Sequence, residues 1–332
     1  MDEHLDWYPG RSVLVTGGLG FIGSNLALTL DALGARVTIV DSSIPGLGAN
    51  RFNVEGLSDR SQVAAVDLRD TAALAPLLAG QDCIFNLAGQ ASHIDSMTDP
   101  LADLDLNGRA QLCLLEAVRA SGLRPRVIFA STRQVYGRPE RLPATEDHPV
   151  RPTDINGIHK QAAEHYHRLF HEVYEVPTVV LRLANVYGPR QLMRGRGQGF
   201  IPIFVRTAME DGTLSLFGGG HQERDANYVD DVVDAFLRCG PPTGAAPGST
   251  YNLGAEPPFT LRSFAKTLVA IAGAGTLANV EWPADRALID VGSVSTDHSS
   301  ITADLGWKPT WSLADGLEAT VAYYRLHGRH YW

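Results

Sequence analysis

Residues 16–23 read TGGLGFIG, immediately after the β-branched run SVLVT and at the start of an apolar helical pattern that ends near Gly34. That placement leaves few folds open. A strand can turn sharply into a helix only where the backbone takes angles that glycine adopts cheaply. Gly17, Gly20 and Gly23 stand at three-residue intervals, and Gly18-x-Gly20-x-x-Gly23 overlaps them. A loop without side chains lets a pyrophosphate approach the backbone. The helix opening at Phe21 and Ile22 then offers it unpaired N–H groups and the positive end of its dipole. The fingerprint of a dinucleotide site also requires an acid at the end of the next strand, about 20 residues on. Asp41 meets that requirement, after RVTIV. Its carboxylate can accept from free ribose hydroxyls and would repel a 2′-phosphate. Ser42, Ser43 and Ile44 follow it with no Arg or Lys, so NAD is expected rather than NADP. Asp67, with Leu68 beside it in DLRD, is a candidate contact for the adenine. Asp67 and Asp70 are equally candidate helix N-caps.

Short apolar runs at 12–16, 36–40, 63–66, 83–87, 127–130 and 178–183 alternate with helical patterns, notably 21–33 and 101–120. Strands separated by helices imply βαβ units, right-handed crossovers and a doubly wound parallel α/β sheet of the Rossmann kind. The rhythm breaks after Gly188. A Gly- and Arg-rich loop (189–199) precedes a helix near 203–210, a strand at 214–217 and a proline-rich loop at 240–248. We therefore expect a cofactor-binding domain over 1–188, with return segments near 225–240. A smaller C-terminal substrate lobe would occupy most of 189–332. Two units suit 332 residues.

A net charge of −9 argues against a general nucleic-acid or anionic-membrane binder, while leaving room for a local basic pocket. Cys83, Cys113 and Cys239 lie too far apart in sequence for metal-ligand or redox spacing, so no metal is expected. The N-terminus begins MDEH with no apolar segment behind it, and no run nears the ~18 apolar residues of a membrane span. A cytoplasmic protein is the expectation.

Further motifs follow in order: NLAGQ at 86–90, STRQVYG at 131–137, RLANVYGPRQ at 182–191, QERD at 222–225, YVDD at 228–231, NLG at 252–254 and LGWKP at 305–309. In this order, over nearly the whole chain, they resemble the extended short-chain dehydrogenases, and more narrowly the NAD-dependent nucleotide-sugar epimerases and dehydratases. The resemblance implies a nucleotide-diphosphate sugar as substrate, oxidised transiently to a ketone and reduced again. It assigns Leu87 and Ala88 to the cofactor site. Lys160 matches the lysine that holds the nicotinamide ribose, and Thr132 the hydroxyl residue of the proton relay. It also implies a homodimer through helices near 101–120 and 156–174. Leu112, Leu115 and Val118 would form part of that face or else pack on the sheet.

One position departs from the pattern. The family's basic tyrosine stands four residues before the lysine, and here that residue is Asn156. An amide cannot act as a general base. His93, in the segment that lines the sugar pocket, and Thr132 are the leading replacements, ahead of His159 and Tyr136. Alternatively, Thr132, Asn156 and Lys160 pass the proton to water, or the chain only binds a nucleotide sugar. The dehydratases carry an Asp-Glu pair after the threonine. Here Arg133 and Gln134 follow, which argues against elimination and for plain epimerisation, most simply at C4. Decarboxylation stays open through Arg133, which could instead bind a sugar substituent or lie in a surface loop. Asn185, Arg224 and Arg286 match the family's pyrophosphate contacts. The arginine-bearing loop with Arg190, Arg194 and Arg196 is a candidate lid.

Overall fold

Strand β1 (Ser12–Thr16) has four of its five residues buried, and the two-residue period of a strand sends them to opposite faces. Val13 and Val15 join one apolar cluster with Leu26, Leu30 and Phe236. Leu14 joins another with Ile84, Leu114 and Val118. A strand buried on both faces belongs in the middle of a covered parallel sheet, and the computed structural model, which describes residues 3–194, 199–282 and 291–332, puts it there.

The chain runs on through helix α1 (Phe21–Ala32), β2 (Arg36–Val40), β3 (Gln62–Ala64), α2 (Thr71–Leu74) and β4 (Cys83–Asn86). Next come α3 (His93–Thr98), α4 (Pro100–Leu104), α5 (Ala110–Ala120), β5 (Arg126–Thr132), α6 (Ile155–Tyr174), β6 (Thr178–Leu183) and β7 (Asn185–Tyr187). After these stand α7 (Phe200–Met209), β8 (Thr213–Phe217), β9 (Glu223–Arg224), β10 (Ala226–Tyr228), α8 (Val229–Cys239) and β11 (Thr250–Leu253). β12 (Phe259–Thr260), α9 (Leu261–Ala272) and β13 (Thr276–Val280) precede two further helices, Ser299–Leu305 and Leu313–His327.

The main sheet is parallel throughout, in the order β11-β6-β5-β4-β1-β2-β3. The chain winds outward from β1 through β2 and β3, then returns to β4 and winds the other way. The strand order reverses between β1 and β4, which opens a crevice at their carboxyl ends. Thr16 closes the floor of that crevice. Its hydroxyl donates to Asn86 Oδ1 (2.8 Å) and accepts from the N–H groups of Leu87 and Ala88 (both 3.0 Å).

The expected doubly wound parallel sheet is present, and one expectation needs correction. The outermost strand, β11, comes from 250–253, inside the stretch assigned to the second lobe. Its short TYNL run between turns carries too little periodicity to announce a sheet strand. Parallel pairing with β6 and burial of Tyr251, Asn252 and Leu253 decide the matter. The two lobes share one buried cluster. Phe204 and Phe264 of the second lobe belong to the same buried cluster as Val13 and Leu26. The stretch 101–120 is helical throughout, as expected, with one irregularity inside it. A π-helical turn at Asp105–Arg109 separates α4 from α5. Leu115 and Val118 then pack into the sheet-side core, while Leu112 stays partly exposed.

Replacing Thr16 by Val keeps the volume and leaves the Ala88 N–H and the Asn86 amide oxygen without their partner, while the Leu87 N–H keeps the Thr16 carbonyl (3.3 Å). We expect a loss of about 1–3 kcal/mol in unfolding free energy, read by urea denaturation.

Candidate active site

A single cleft runs along the carboxyl edge of the sheet. Its wall includes Gly17, Gly20, Phe21, Ile22 and Gly23 at one end, and Thr132, Asn156 and Lys160 at the other. At the first end β1 passes into α1. Gly17 has φ +65°, and a Cβ there would lie 2.9 Å from Ala88 Cα. A Cβ on Gly23 would collide with the Gly17 carbonyl oxygen. The crossing of loop and helix therefore has no room for side chains. The N-cap of α1 is Gly20, which provides no side-chain cap, so the first N–H groups of the helix are open to a phosphate.

Asp41 ends β2 on the same wall. Its carboxylate accepts from Leu19 N (3.1 Å) and Ser43 N (2.8 Å), which fixes it at the rim of the glycine loop. Asp67 and Leu68 line the cleft as well. Asp67 is not an N-cap. Arg69 grips it through Nε and Nη2 (2.9 and 2.7 Å), and those bonds hold its carboxyl below the usual range against the opposing effect of burial. Asp70 is the N-cap of α2, accepting from Ala73 N. Leu87 and Ala88 complete this half. A cradle too tight for side chains, an uncapped helix N-terminus and a carboxylate at the strand end fit an NAD molecule.

The other half is built where β5 ends and α6 begins. Lys160, one turn into α6, donates to Ala130 O (3.0 Å) and lies 4.9 Å from the centre of the Phe129 ring. Burial pushes its ammonium down to about 8, while the carboxylates of Asp103 and Glu164 work the other way. Thr132 Oγ1 accepts from Gln134 N, so the threonine O–H proton remains free to point into the cleft. His93 Nδ1 meets Asp154 Oδ2 at 2.7 Å, and its Nε2 touches the Gln134 amide nitrogen. Asp154 is itself the N-cap of α6, accepting from Gly157 N (2.7 Å). Burial raises the Asp154 carboxyl, but the His93 hydrogen bond and charge and the Gly157 N–H together hold it below its usual value. In the neutral imidazole, a proton on Nδ1 toward Asp154 places the lone pair on Nε2, toward Gln134.

Asn156 is 1% exposed and lines the cleft. Its amide nitrogen is fully committed, to Gln90 O (2.8 Å) and Asp103 Oδ2 (3.1 Å). His159 turns away and pairs with Asp103 instead (2.7 Å). Tyr136 is wholly buried, donating to Asn252 Oδ1 and accepting from Arg182. Neither His159 nor Tyr136 is among the residues of the cleft wall.

The arginines assigned to substrate are dispersed. Asn185 lines the cleft, and its Nδ2 donates to Asp225 O (2.9 Å). Arg133 lies behind it, with Nη2 3.4 Å from Asn185 Oδ1, not in an open surface loop. Burial lowers its pKa, opposed by the charge of Asp225. Arg224 holds the carbonyls of Glu223 and Gly292 in the second lobe. Arg286 and Arg196 lie outside the described residues. Arg190 is anchored to Asn25 Oδ1 (2.8 Å) and Asn53 O (3.2 Å), so it pins the start of the candidate lid to α1.

Sequence reasoning missed Asp103, Asn107, Gln90 and Asp154. Asp154 leaves a local trace, an acid three residues before Gly157 at a helix start. Asp103 and Asn107 stand four apart, the spacing of neighbours on a helix, but nothing local pairs them with a residue in α6. Among the described residues no group of three or more His, Cys, Asp or Glu could hold a metal ion, and no helix is long and apolar enough to cross a membrane.

The model of the NAD dependent epimerase/dehydratase family matches residues 13–254. A UDP-glucose 4-epimerase of Mycolicibacterium smegmatis is 37% identical over 315 residues, covering 94% of this chain and 98% of that enzyme. A dTDP-glucose 4,6-dehydratase of Streptomyces griseus is 31% identical over 325 residues, covering 96% and 95%. The structure of an epimerase of Methanothermobacter thermautotrophicus superposes with a TM-score of 0.90 at 27% identity, covering 99% of this chain and 96% of that one.

Removal of the Asp41 carboxylate by Asp41→Ala takes away charge-assisted hydrogen bonds to the ribose. We expect NAD affinity, read by calorimetry, to fall by about 10- to 100-fold.

Proposed function

Because the chain belongs to the NAD dependent epimerase/dehydratase family, we propose that it epimerises a nucleotide-diphosphate sugar at C4 through a transient keto sugar, with His93 as the proton acceptor. One observation carries the reading: the cleft that begins at the glycine cradle and Asp41 continues without a break to Thr132, His93 and Lys160. Bound NAD supplies the hydride acceptor and donor. Lys160 holds its nicotinamide ribose and adds positive charge beside the hydroxyl that ionises. Asn156 presents no group that can take a proton.

His93 can take it. Asp154 orients the imidazole and stabilises the cation that forms. The sugar hydroxyl displaces the Gln134 amide from Nε2, and the proton moves from hydroxyl oxygen to Nε2. Gln134 Oε1 is buried without a hydrogen-bond partner. A turn of that amide then gives the new N–H an acceptor. Thr132 hydrogen-bonds the sugar oxygen throughout. When the ketone has turned over in the cleft and is reduced on its other face, His93 gives its proton back to the sugar oxygen.

Epimerisation is favoured over dehydration because neither Arg133 nor Gln134 can serve as the acid or the base of an elimination. The relatives include enzymes of both kinds, and epimerisation needs no second acid–base pair. Asn185, Arg133, Arg224 and Arg286 are assigned to the substrate's phosphates and sugar substituents. A homodimer suits the exposed Leu101, Leu104 and Leu112 beside Ile158, Leu169 and Val173 on helices that pack together.

Incubating the NAD-loaded chain with a panel of sugar nucleotides in heavy water tests the reaction. The expected product is a C4 epimer of unchanged mass with no deuterium on carbon. Loss of water or carbon dioxide, or binding without turnover, would defeat the reading. His93→Gln should lower kcat at least 100-fold while leaving NAD affinity within twofold. Lys160 is charged below its pKa and neutral above it, so NAD binding and turnover should both decline as pH rises through about 8.

A further inference from the structure

The helical position one turn before Lys160 holds a side chain whose orientation is forced. Asn156 Nδ2 gives one proton to Gln90 O and the other to Asp103 Oδ2. Turning the amide over would set its oxygen against those same two acceptors, so the rotamer has no alternative of similar energy. The nitrogen is used up and Asn156 lies on the cleft wall, which leaves Oδ1 as the only polar atom it can present to a ligand.

The carboxylate that enforces this is Asp103, at 0% exposure. Besides Asn156, it takes Asn107 Nδ2 (3.0 Å) and His159 Nδ1 (2.7 Å). Asn107 in turn clasps the backbone of Gln90, donating to its O (3.0 Å) and accepting from its N (3.2 Å). Both acceptors facing the Asn156 amide are therefore held in place. A buried carboxylate with three donors is costly to assemble and costly to break. Its cost is understandable if it sets the polarity of one wall of the cleft.

We propose that Asp103 is a positioning residue for substrate: it locks the Asn156 amide with its oxygen toward the cleft, where that oxygen accepts a hydrogen bond from a sugar hydroxyl. The inference rests on the reading that the sugar lies beside Thr132 and Lys160. The place of a proton-exchanging phenol is thus taken by a fixed neutral acceptor, which selects a hydroxyl donor at that point of the sugar and leaves proton transfer to another group.

Asp103→Asn tests it, because the change is isosteric. An amide at 103 that keeps its oxygen on His159 turns its nitrogen toward Asn156, and the forced orientation is lost. On the NAD-loaded chain, calorimetry would compare UDP-glucose, or whichever sugar nucleotide of the panel binds tightest, with its nucleoside diphosphate. We expect Asp103→Asn to weaken the sugar nucleotide about 10-fold and the nucleoside diphosphate by less than twofold. In an Asn156→Ala background the same change should add nothing. Equal weakening of both ligands, or an undiminished effect in that background, overturns the proposal. Absence of any sugar-nucleotide binding by the parent chain would instead sink the functional reading. A measurement on the unmutated chain guards against misfolding of the variants. Both Asn156 side-chain N–H protons, assigned by nitrogen-15 NMR, should exchange slowly and keep their shifts when the sugar nucleotide is added. Rapid exchange, or a large shift of those protons, would mean that the nitrogen faces the ligand.

Discussion

The carboxyl ends of β1 and β4 approach so closely that backbone meets backbone. Gly17 lies against Ala88 with no space for a Cβ, and the Thr16 hydroxyl ties Asn86, Leu87 and Ala88 to the end of β1. That contact sets where the strand order reverses, and so where a ligand can lie. The helix behind it starts at Gly20 because the chain has just turned through the glycine loop. Its N-terminus must then point into the crevice. Position, polarity and width at the cofactor end all descend from this one approach.

The other end of the cleft is organised by buried charge. Lys160, Asp103, Glu164, Arg182 and Asp154 all lie within the protein, where an isolated charge would be prohibitively expensive. Each is paired. Glu164 takes Arg182 side-on through Nε and Nη2. Asp154 takes His93 and the start of α6. Asp103 takes three side-chain donors. Lys160 alone has only a carbonyl at hydrogen-bond distance, with two carboxylates nearby. A cation left in that condition in a cleft is poised for a ligand, and burial keeps its proton mobile near physiological pH. Asp103 and Glu164 place negative charge near the lysine, which partly offsets the effect of its burial.

Much of the cofactor end was legible without coordinates. The glycine spacing, Asp41 and the alternation of strands and helices are local patterns, and each depends on residues a few positions apart. Six strands were located to within a few residues for the same reason. The seventh, β11, was not recognised as part of the sheet, because four residues carry no usable period and only the open edge of β6 makes them a sheet strand. The π-helical turn at Asp105–Arg109 was equally invisible. Its purpose shows only once Asn107 reaches Gln90.

The sequence alone therefore determined the class of fold, the class of cofactor and the anomaly at position 156, since each is written in the order and identity of near neighbours. Only the tertiary structure decided what surrounds that anomaly. Asp154 finds His93 across 61 residues and Asp103 finds Asn156 across 53. Such pairs form because the sheet brings the ends of separate βα units together, a proximity that no local pattern encodes. The orientation of the Asn156 amide follows from one of those distant partners, and the lowered pKa of Lys160 follows from its burial among the elements that the sheet brings together.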